Sequence, residues 1–271
     1  MSERIAFIGG GNMASAIIGG LIKQGLPPQQ INVVEPWTEA QDKLNSSFSI
    51  DAHAKPGAFL SDAALIVWAV KPQTFKEAAH QVRAFSQNAL HLSVAAGIRS
   101  DSIAQWLGTE RVVRAMPNTP ALIGQGITAL FARPGVTPAD KAQVNQVLAP
   151  TGELLWLGAE EQLDAVTALS GSGPAYMFYF MEAMVTAGTE MGLTASQAHQ
   201  LAVATFMGAG ALAHASSESP KVLRERVTSK GGTTYAAITS MDEDDVKAQF
   251  INAMYAAQKR AKELGDEFGG A

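Results

Sequence analysis

The chain has 271 residues, 47% of them hydrophobic, with a formal net charge of −5 and no cysteine. It is long enough for one large domain or two moderate ones, too apolar to be disordered, and too acidic for nucleic acid to be its main partner. The lack of cysteine excludes disulfides, thiolate catalysis and Cys-ligated metals, and fits a reducing cytoplasm.

The first predicted element is a buried strand over Ile5 to Ile8, an apolar run that stops at Gly9-Gly10-Gly11. Met13, Ile17 and Leu21 then recur at helical spacing, with Ile18 and Ile22 beside them. Strand, glycine turn and helix form the setting in which G-x-G-x-x-G/A marks a dinucleotide-binding turn. Gly9, Gly11 and Ala14 occupy its three positions, for the tight turn, the close approach of the pyrophosphate and the packing of helix on strand. The alternative is a glycine turn joining any strand to any helix. The glycines interrupt any apolar core of an export signal, so none is expected.

Ile31 to Val34 reads as a second strand, ending at Glu35-Pro36, with Thr38 as cap of the next helix. Phe48-Ser49-Ile50 is expected to form a short third strand. Ala64 to Val70 is apolar throughout, as a central parallel strand should be, and stops at Lys71-Pro72, where proline opens a helix. His91 to Ala96 ends at Gly97, and Val112-Val113 leads into Met116-Pro117-Asn118-Thr119-Pro120. Ile127 to Phe131 and Leu154 to Leu157 add two strands, with a helix over Pro138 to Leu148 between them. Strands alternating with helices imply right-handed βαβ units and a sheet covered on both faces.

After Gly158 only helices are predicted. Pro174 to Gly192 is apolar almost all round, and Leu201 to Ala213 repeats this with small residues. A helix apolar on every side needs cover on every side, and a second subunit is the simplest cover. The competing possibility is cover by the strand-containing half. The apolar stretch Ala165 to Met181 is broken by Gly171-Ser172-Gly173-Pro174, so no membrane partner is expected. A last helix is predicted over Asp244 to Leu264, and Gly269-Gly270-Ala271 should fray. The fold class is therefore α/β: a doubly wound Rossmann-type sheet over residues 1–158, then an all-helical domain over 159–271.

In an open α/β sheet the ligand lies beyond the carboxyl ends of the strands. Glu35, after the second strand, is placed to accept from a ribose hydroxyl and repel a 2′-phosphate, or is a solvated turn residue. Lys71 closes a strand as a phosphate or substrate contact, a general acid, or a solvated lysine. Thr228 to Thr234 is a second glycine-rich stretch before a helix, either an anion nest or an ordinary cap with a glycine lead-in. The histidines, His53, His80, His91, His199 and His214, lack metal spacing, and no metal is expected. His91, at a strand start, reads as structural.

Taken together, Gly9 to Met13, Ala69-Val70-Lys71-Pro72-Gln73, Ser93 to Gly97, Met116 to Pro120, Gly171 to Tyr176 and Gly231 to Thr234 resemble the pyrroline-5-carboxylate reductase family, in order and over nearly the whole chain. The resemblance implies reduction of the C=N bond of 1-pyrroline-5-carboxylate to L-proline by NADPH or NADH. It also implies a homodimer built through the helical domain, and in such enzymes dimers often assemble further into rings. Carried over by position, Ile8, Gly9, Gly10, Gly11, Asn12, Met13, Ala69, Val70, Lys71, Pro72, Ala95, Ala96 and Gly97 would line the cofactor. Ser229, Gly231, Gly232 and Thr233 would hold the substrate carboxylate, with Thr234 at the ring nitrogen as the catalytic residue. Lys230 stands where many members have proline, and Ala54 where some have asparagine. Two other readings stay open at this stage: a 3-hydroxyacid dehydrogenase with Lys71 as acid, and a cofactor-binding redox sensor without turnover.

Overall fold

The structure, a computed structural model, describes residues 4–269, which fall into two compact units. The first comprises residues 4–172 with 257–269, and the second residues 173–256.

The first unit is built on strands β1 (Arg4–Ile8), β2 (Ile31–Val34), β3 (Ala63–Trp68), β4 (Leu90–Ser93), β5 (Val112–Met116), β6 (Gly126–Ala132) and β7 (Gly152–Trp156). They form one seven-stranded sheet in the order β2-β1-β3-β4-β5-β6-β7. Strands β1 to β5 run parallel, connected by helices α1 (Asn12–Lys23), α2 (Thr38–Phe48), α3 (Pro72–Val82) and α4 (Ser100–Leu107). Both faces are covered, and the pleat divides the strand residues between two cores. Ile5, Phe7, Leu65, Val67, Leu90 and Leu92 pack with Ile17, Ile18 and Leu21 of α1. Ala6, Ile8, Ile66 and Trp68 pack with Phe75 and Ala79 of α3 and Ile103 and Trp106 of α4.

The expected run of βαβ units is broken once. β6 pairs antiparallel with β5, through Arg114↔Phe131 and Met116↔Ala129. The connection between them holds only a short turn over Thr119–Ile123, too little chain for a parallel crossover. After α5 (Pro138–Leu148), β7 adds parallel to β6. The sheet is therefore mixed.

Phe48-Ser49-Ile50 is not a strand. The helix α2 continues through Phe48, whose ring lies against Gly19, and Ser49 closes it at φ 57°. The chain pairs with β2 only later, at the single bridge Val34↔His53. Thr38 does not cap α2; the Trp37 carbonyl already accepts from Gln41 N–H, so Trp37 takes the cap position.

Beyond β7 all described elements are helical: α6 (Gln162–Val166), α7 (Gly173–Glu190), α8 (Ala195–Ala215), α9 (Pro220–Arg226), α10 (Thr233–Glu243) and α11 (Val246–Gly269). The last helix starts later than predicted because Asp245 takes a left-handed φ of 53°. It runs on to Gly269, whose carbonyl accepts from Ser102 Oγ at 3.1 Å. Gly270 and Ala271, expected to fray with Gly269, lie outside the described residues. In the second unit α7 and α8 pack together, and the rings of Tyr176 and Phe180 meet Phe250 edge-on. Among the described residues no helix is long and apolar enough to cross a membrane.

Candidate functional site

The glycine turn between β1 and α1 has steric reasons at two positions. Gly9 sits at φ +95°, and a Cβ there would lie 2.6 Å from the Ala69 carbonyl oxygen. A Cβ on Gly10 would lie 2.6 Å from Leu44 Cδ1. Gly11 differs: a Cβ there would meet nothing within 4 Å. It is the N-cap of α1, and no side chain caps that helix. The first-turn N–H groups of α1 are thus left to an outside acceptor, and the helix dipole favours an anion there. This start fits a pyrophosphate.

The strand ends beside the turn are tied together by backbone bonds. Gly9 N–H donates to the Val34 carbonyl at 2.8 Å, Ala69 N–H to Ile8 at 2.8 Å and Val94 N–H to Trp68 at 3.0 Å. Ile8 to Met13, Ala69 to Pro72 and Ala95 to Gly97 therefore come together at one edge of the sheet. Pro72 opens α3, with Lys71 as its N-cap; the Lys71 side chain is exposed. Gly97 takes φ +72°, and a Cβ there would lie 3.0 Å from Leu264 Cβ of α11.

Glu35 is 6% exposed, so it is not a solvated turn residue. Its Oε2 accepts from Gly10 N–H at 2.8 Å and its Oε1 from Trp37 N–H at 3.0 Å. One carboxylate thus ties the turn after β1 to the turn after β2. Each oxygen keeps a second acceptor site for a ribose hydroxyl. The inward bonds were not readable from the sequence, because they join backbone groups that carry no sequence identity.

His91 is fully buried, and Trp68 Nε1–H donates to its Nδ1 at 3.0 Å. Burial lowers its pKa to about 4, against an opposing contribution from the Ser86 backbone, so the ring is neutral near pH 7. That is a structural histidine.

A charged cluster in the first unit was missed altogether. Glu160 Oε1 accepts from Ser100 N–H and from Arg114 Nη1, both at 2.6 Å, while Oε2 accepts from Ser100 Oγ. Glu160 therefore supplies the cap that α4 lacks locally. Arg133 reaches Ser100 Oγ at 3.2 Å and Glu110 at 2.7 Å. Arg114, Arg133 and Glu160 line a cavity of about 270 Å³ together with Arg99, Asp101 and Asp164. Burial raises the Asp164 carboxyl above its usual range, opposed by Arg114 and Arg99. No local spacing announces this cluster, since the partners of Glu160 lie 46 and 60 positions away.

The chain between α6 and α7 makes one π-turn over Thr167–Gly171, a form that is frequent at functional sites. A Cβ on Gly171 would lie 2.4 Å from Met116 Cε, so two of the six motif stretches meet here.

The second glycine-rich stretch belongs to the other unit. Gly231 sits at φ +76°, and Gly232 N–H donates to the Ser229 carbonyl at 3.0 Å. Gly232 is the N-cap of α10, again without a side-chain cap, and Thr233 and Thr234 open that helix. The turn is open to solvent at Ser229, Gly231 and Thr233, and half-buried at Gly232 and Thr234. The N–H groups at the start of α10, left without a side-chain cap, suit an anion such as a carboxylate. Among the described residues no group of three or more His, Asp or Glu could hold a metal ion.

Residues 160–264 match the family described as pyrroline-5-carboxylate reductase dimerisation, and residues 4–97 the one described as NADP oxidoreductase, coenzyme F420-dependent. The chain is 44% identical to a pyrroline-5-carboxylate reductase of Pseudomonas aeruginosa over 270 residues, 99% of either chain. Among solved structures it resembles a pyrroline-5-carboxylate reductase from Coxiella burnetii with a TM-score of 0.89, 36% identity, and 97% and 99% of the two chains covered. A Plasmodium falciparum pyrroline carboxylate reductase with NADP bound gives a TM-score of 0.88, 25% identity, and 97% and 98% coverage.

Proposed function

The chain belongs to the pyrroline-5-carboxylate reductase family, and we propose that residues 1–158 serve it as the dinucleotide-binding domain and 159–271 as the dimerisation and substrate-binding domain. The protein is an NAD(P)H-dependent oxidoreductase that reduces the C=N bond of 1-pyrroline-5-carboxylate to L-proline, in proline biosynthesis. The observation that carries the cofactor half is the uncapped start of α1 behind Gly9 and Gly11. Its N–H groups would hold the pyrophosphate of NADPH or NADH, with Asn12 and Met13 beside it. Glu35 would accept from the adenosine ribose, and Ala69 to Pro72 and Ala95 to Gly97 would line the remainder.

When bound, the reduced nicotinamide supplies a hydride to the carbon of the imine, which accepts it in the N-protonated form, so the substrate nitrogen ends as an amine. The residues of this chain have a positioning task, which in good cases lowers a barrier by ~7–11 kcal/mol. The N–H groups of Gly231 and Thr233, with the Ser229 hydroxyl, would hold the substrate carboxylate, and Gly232, whose own N–H is bonded to the Ser229 carbonyl, would shape the turn around it. The Thr234 hydroxyl would orient the ring nitrogen.

The test is oxidation of NADPH and NADH with 1-pyrroline-5-carboxylate, in the wild type and in Thr234→Ala. One oriented hydrogen bond to a charged group is worth ~1.5–3 kcal/mol, so kcat should fall roughly 10- to 150-fold. A folded Thr234→Ala enzyme with wild-type kcat and KM would reduce Thr234 to a helix-start residue.

The same reading makes the protein a homodimer. Its support is the apolar surface of α7 and α8, where Phe178 is 63% and Met207 66% exposed in the single chain. A ring of dimers is the next level of assembly under this reading. The cytoplasm is the matching compartment for a cysteine-free chain that needs no oxidising surroundings.

A further inference from the structure

Of the four tryptophans, Trp68 and Trp106 are buried, and Trp156 is half-buried with its Nε1–H on Asn145 Oδ1 at 2.9 Å. Trp37 is the exception at 75% exposed. Its indole leaves a large flat apolar face open, a surface that suits stacking by a flat ligand. Its surroundings are polar: Thr38, Glu39, Asp42 and Lys43, on the first turns of α2, are all exposed. An isolated aromatic among charges is unlike a protein-docking patch, which needs contiguous apolar area.

The backbone of Trp37 is also fixed to the glycine turn. Its N–H is held by Glu35 Oε1, and the other oxygen of that carboxylate holds Gly10 N–H. The indole is thus anchored, through a single buried side chain, to the turn whose open N–H groups suit a pyrophosphate. In a nicotinamide dinucleotide each base is joined to the pyrophosphate through a ribose; with Glu35 accepting from the adenosine ribose, the flat base beside Trp37 is the adenine.

We propose that Trp37 is the stacking platform for the adenine ring of the nicotinamide cofactor, with Glu35 as the positioning residue that holds it there. This rests on the reading of the glycine turn as the dinucleotide site. The adenine is common to NADH and NADPH, so the platform serves either cofactor.

The experiment measures binding of NADH and of reduced nicotinamide mononucleotide, which lacks the adenosine, to the wild type, Trp37→Phe and Trp37→Ala. Loss of one base–aromatic stack should weaken NADH binding by Trp37→Ala roughly 5- to 150-fold. Trp37→Phe should keep most of the affinity, and the mononucleotide should bind all three proteins alike. Titration with NAD⁺ should quench the emission of an exposed tryptophan in the wild type, and this quench should be absent from Trp37→Phe. Unchanged NADH affinity in Trp37→Ala overturns the proposal. Equal losses for NADH and the mononucleotide also overturn it, because Trp37 would then act on the turn as a whole. A wild type that binds the mononucleotide but not NADH would sink the platform alone; one that binds neither removes the dinucleotide reading beneath it.

Discussion

The two units use apolar residues in opposite ways. In the sheet unit, Phe7, Trp68 and Phe75 are fully buried, and central strands such as β1 and β3 divide their side chains between two cores. In the helical unit α7 buries only Gly188, and α8 only Ala198 and Ala202, while Phe178, Tyr179, Leu201 and Leu212 face outward. Composition alone does not separate these cases, since both regions are rich in apolar residues. The difference is whether the chain itself supplies the second layer. The sheet has helices on both faces; the helix pair does not, and its exposed surface reports on a partner rather than on an internal core.

The contrast can be tested with one aromatic from each side. Trp68 stacks on Phe75 at 4.8 Å and is 0% exposed. Trp68→Ala should lower the unfolding free energy by ~3–5 kcal/mol, read from the shift of the urea midpoint. Phe178→Asp should leave the sheet unit folded but weaken self-association by at least about thirtyfold, the ~2 kcal/mol of an interface anchor. Sedimentation over a dilution series reads this, and an unchanged dimer would remove α7 from the interface.

A smaller effect sharpens the sheet side. His91 has its pKa lowered from 6.5 to about 4 by burial. The unfolded chain therefore binds the extra proton first, and stability falls as pH drops from about 6.5 towards 4. By pH 5 the loss from this group should be about 2 kcal/mol relative to neutral pH. His91→Gln should show a flatter profile of urea midpoint against pH between 7 and 5. A parallel profile would assign the acid sensitivity elsewhere.

Much of the sheet unit was legible because its signals are local. The apolar run Ile5 to Ile8 and the spacing of Gly9, Gly11 and Ala14 specify strand, turn and helix within a few residues of one another. The α5 boundaries at Pro138 and Leu148 were readable for the same reason, with proline opening the helix and Thr137 and Asp140 closing a capping box. Strand direction leaves no mark in the side-chain alternation, which is the same whether β6 runs parallel or antiparallel to β5; only the short connection from Pro117 to Gln125 carries it. Phe48 misled because an aromatic beside Ile50 looks like strand, while its ring is wanted against Gly19 one helix away. In the candidate site, the cofactor-side residues follow from strand ends. The partners of Glu35 are backbone N–H groups, and those of Glu160 come from distant parts of the chain, so neither arrangement leaves a pattern in the sequence.

The reversed pairing of β5 with β6 also bears on how the sheet assembles. Met116 faces Ala129 across that pair, whereas Ile5 must find Ile31 and Leu65 across much longer stretches of chain. Closing a loop costs more entropy the longer it is, so the β5–β6 turn is the least costly contact between neighbouring strands to form. Assembly of the sheet then has its easiest starting point in the half away from the glycine turn. The dinucleotide edge, made of crossover connections, is entropically the harder part to bring together.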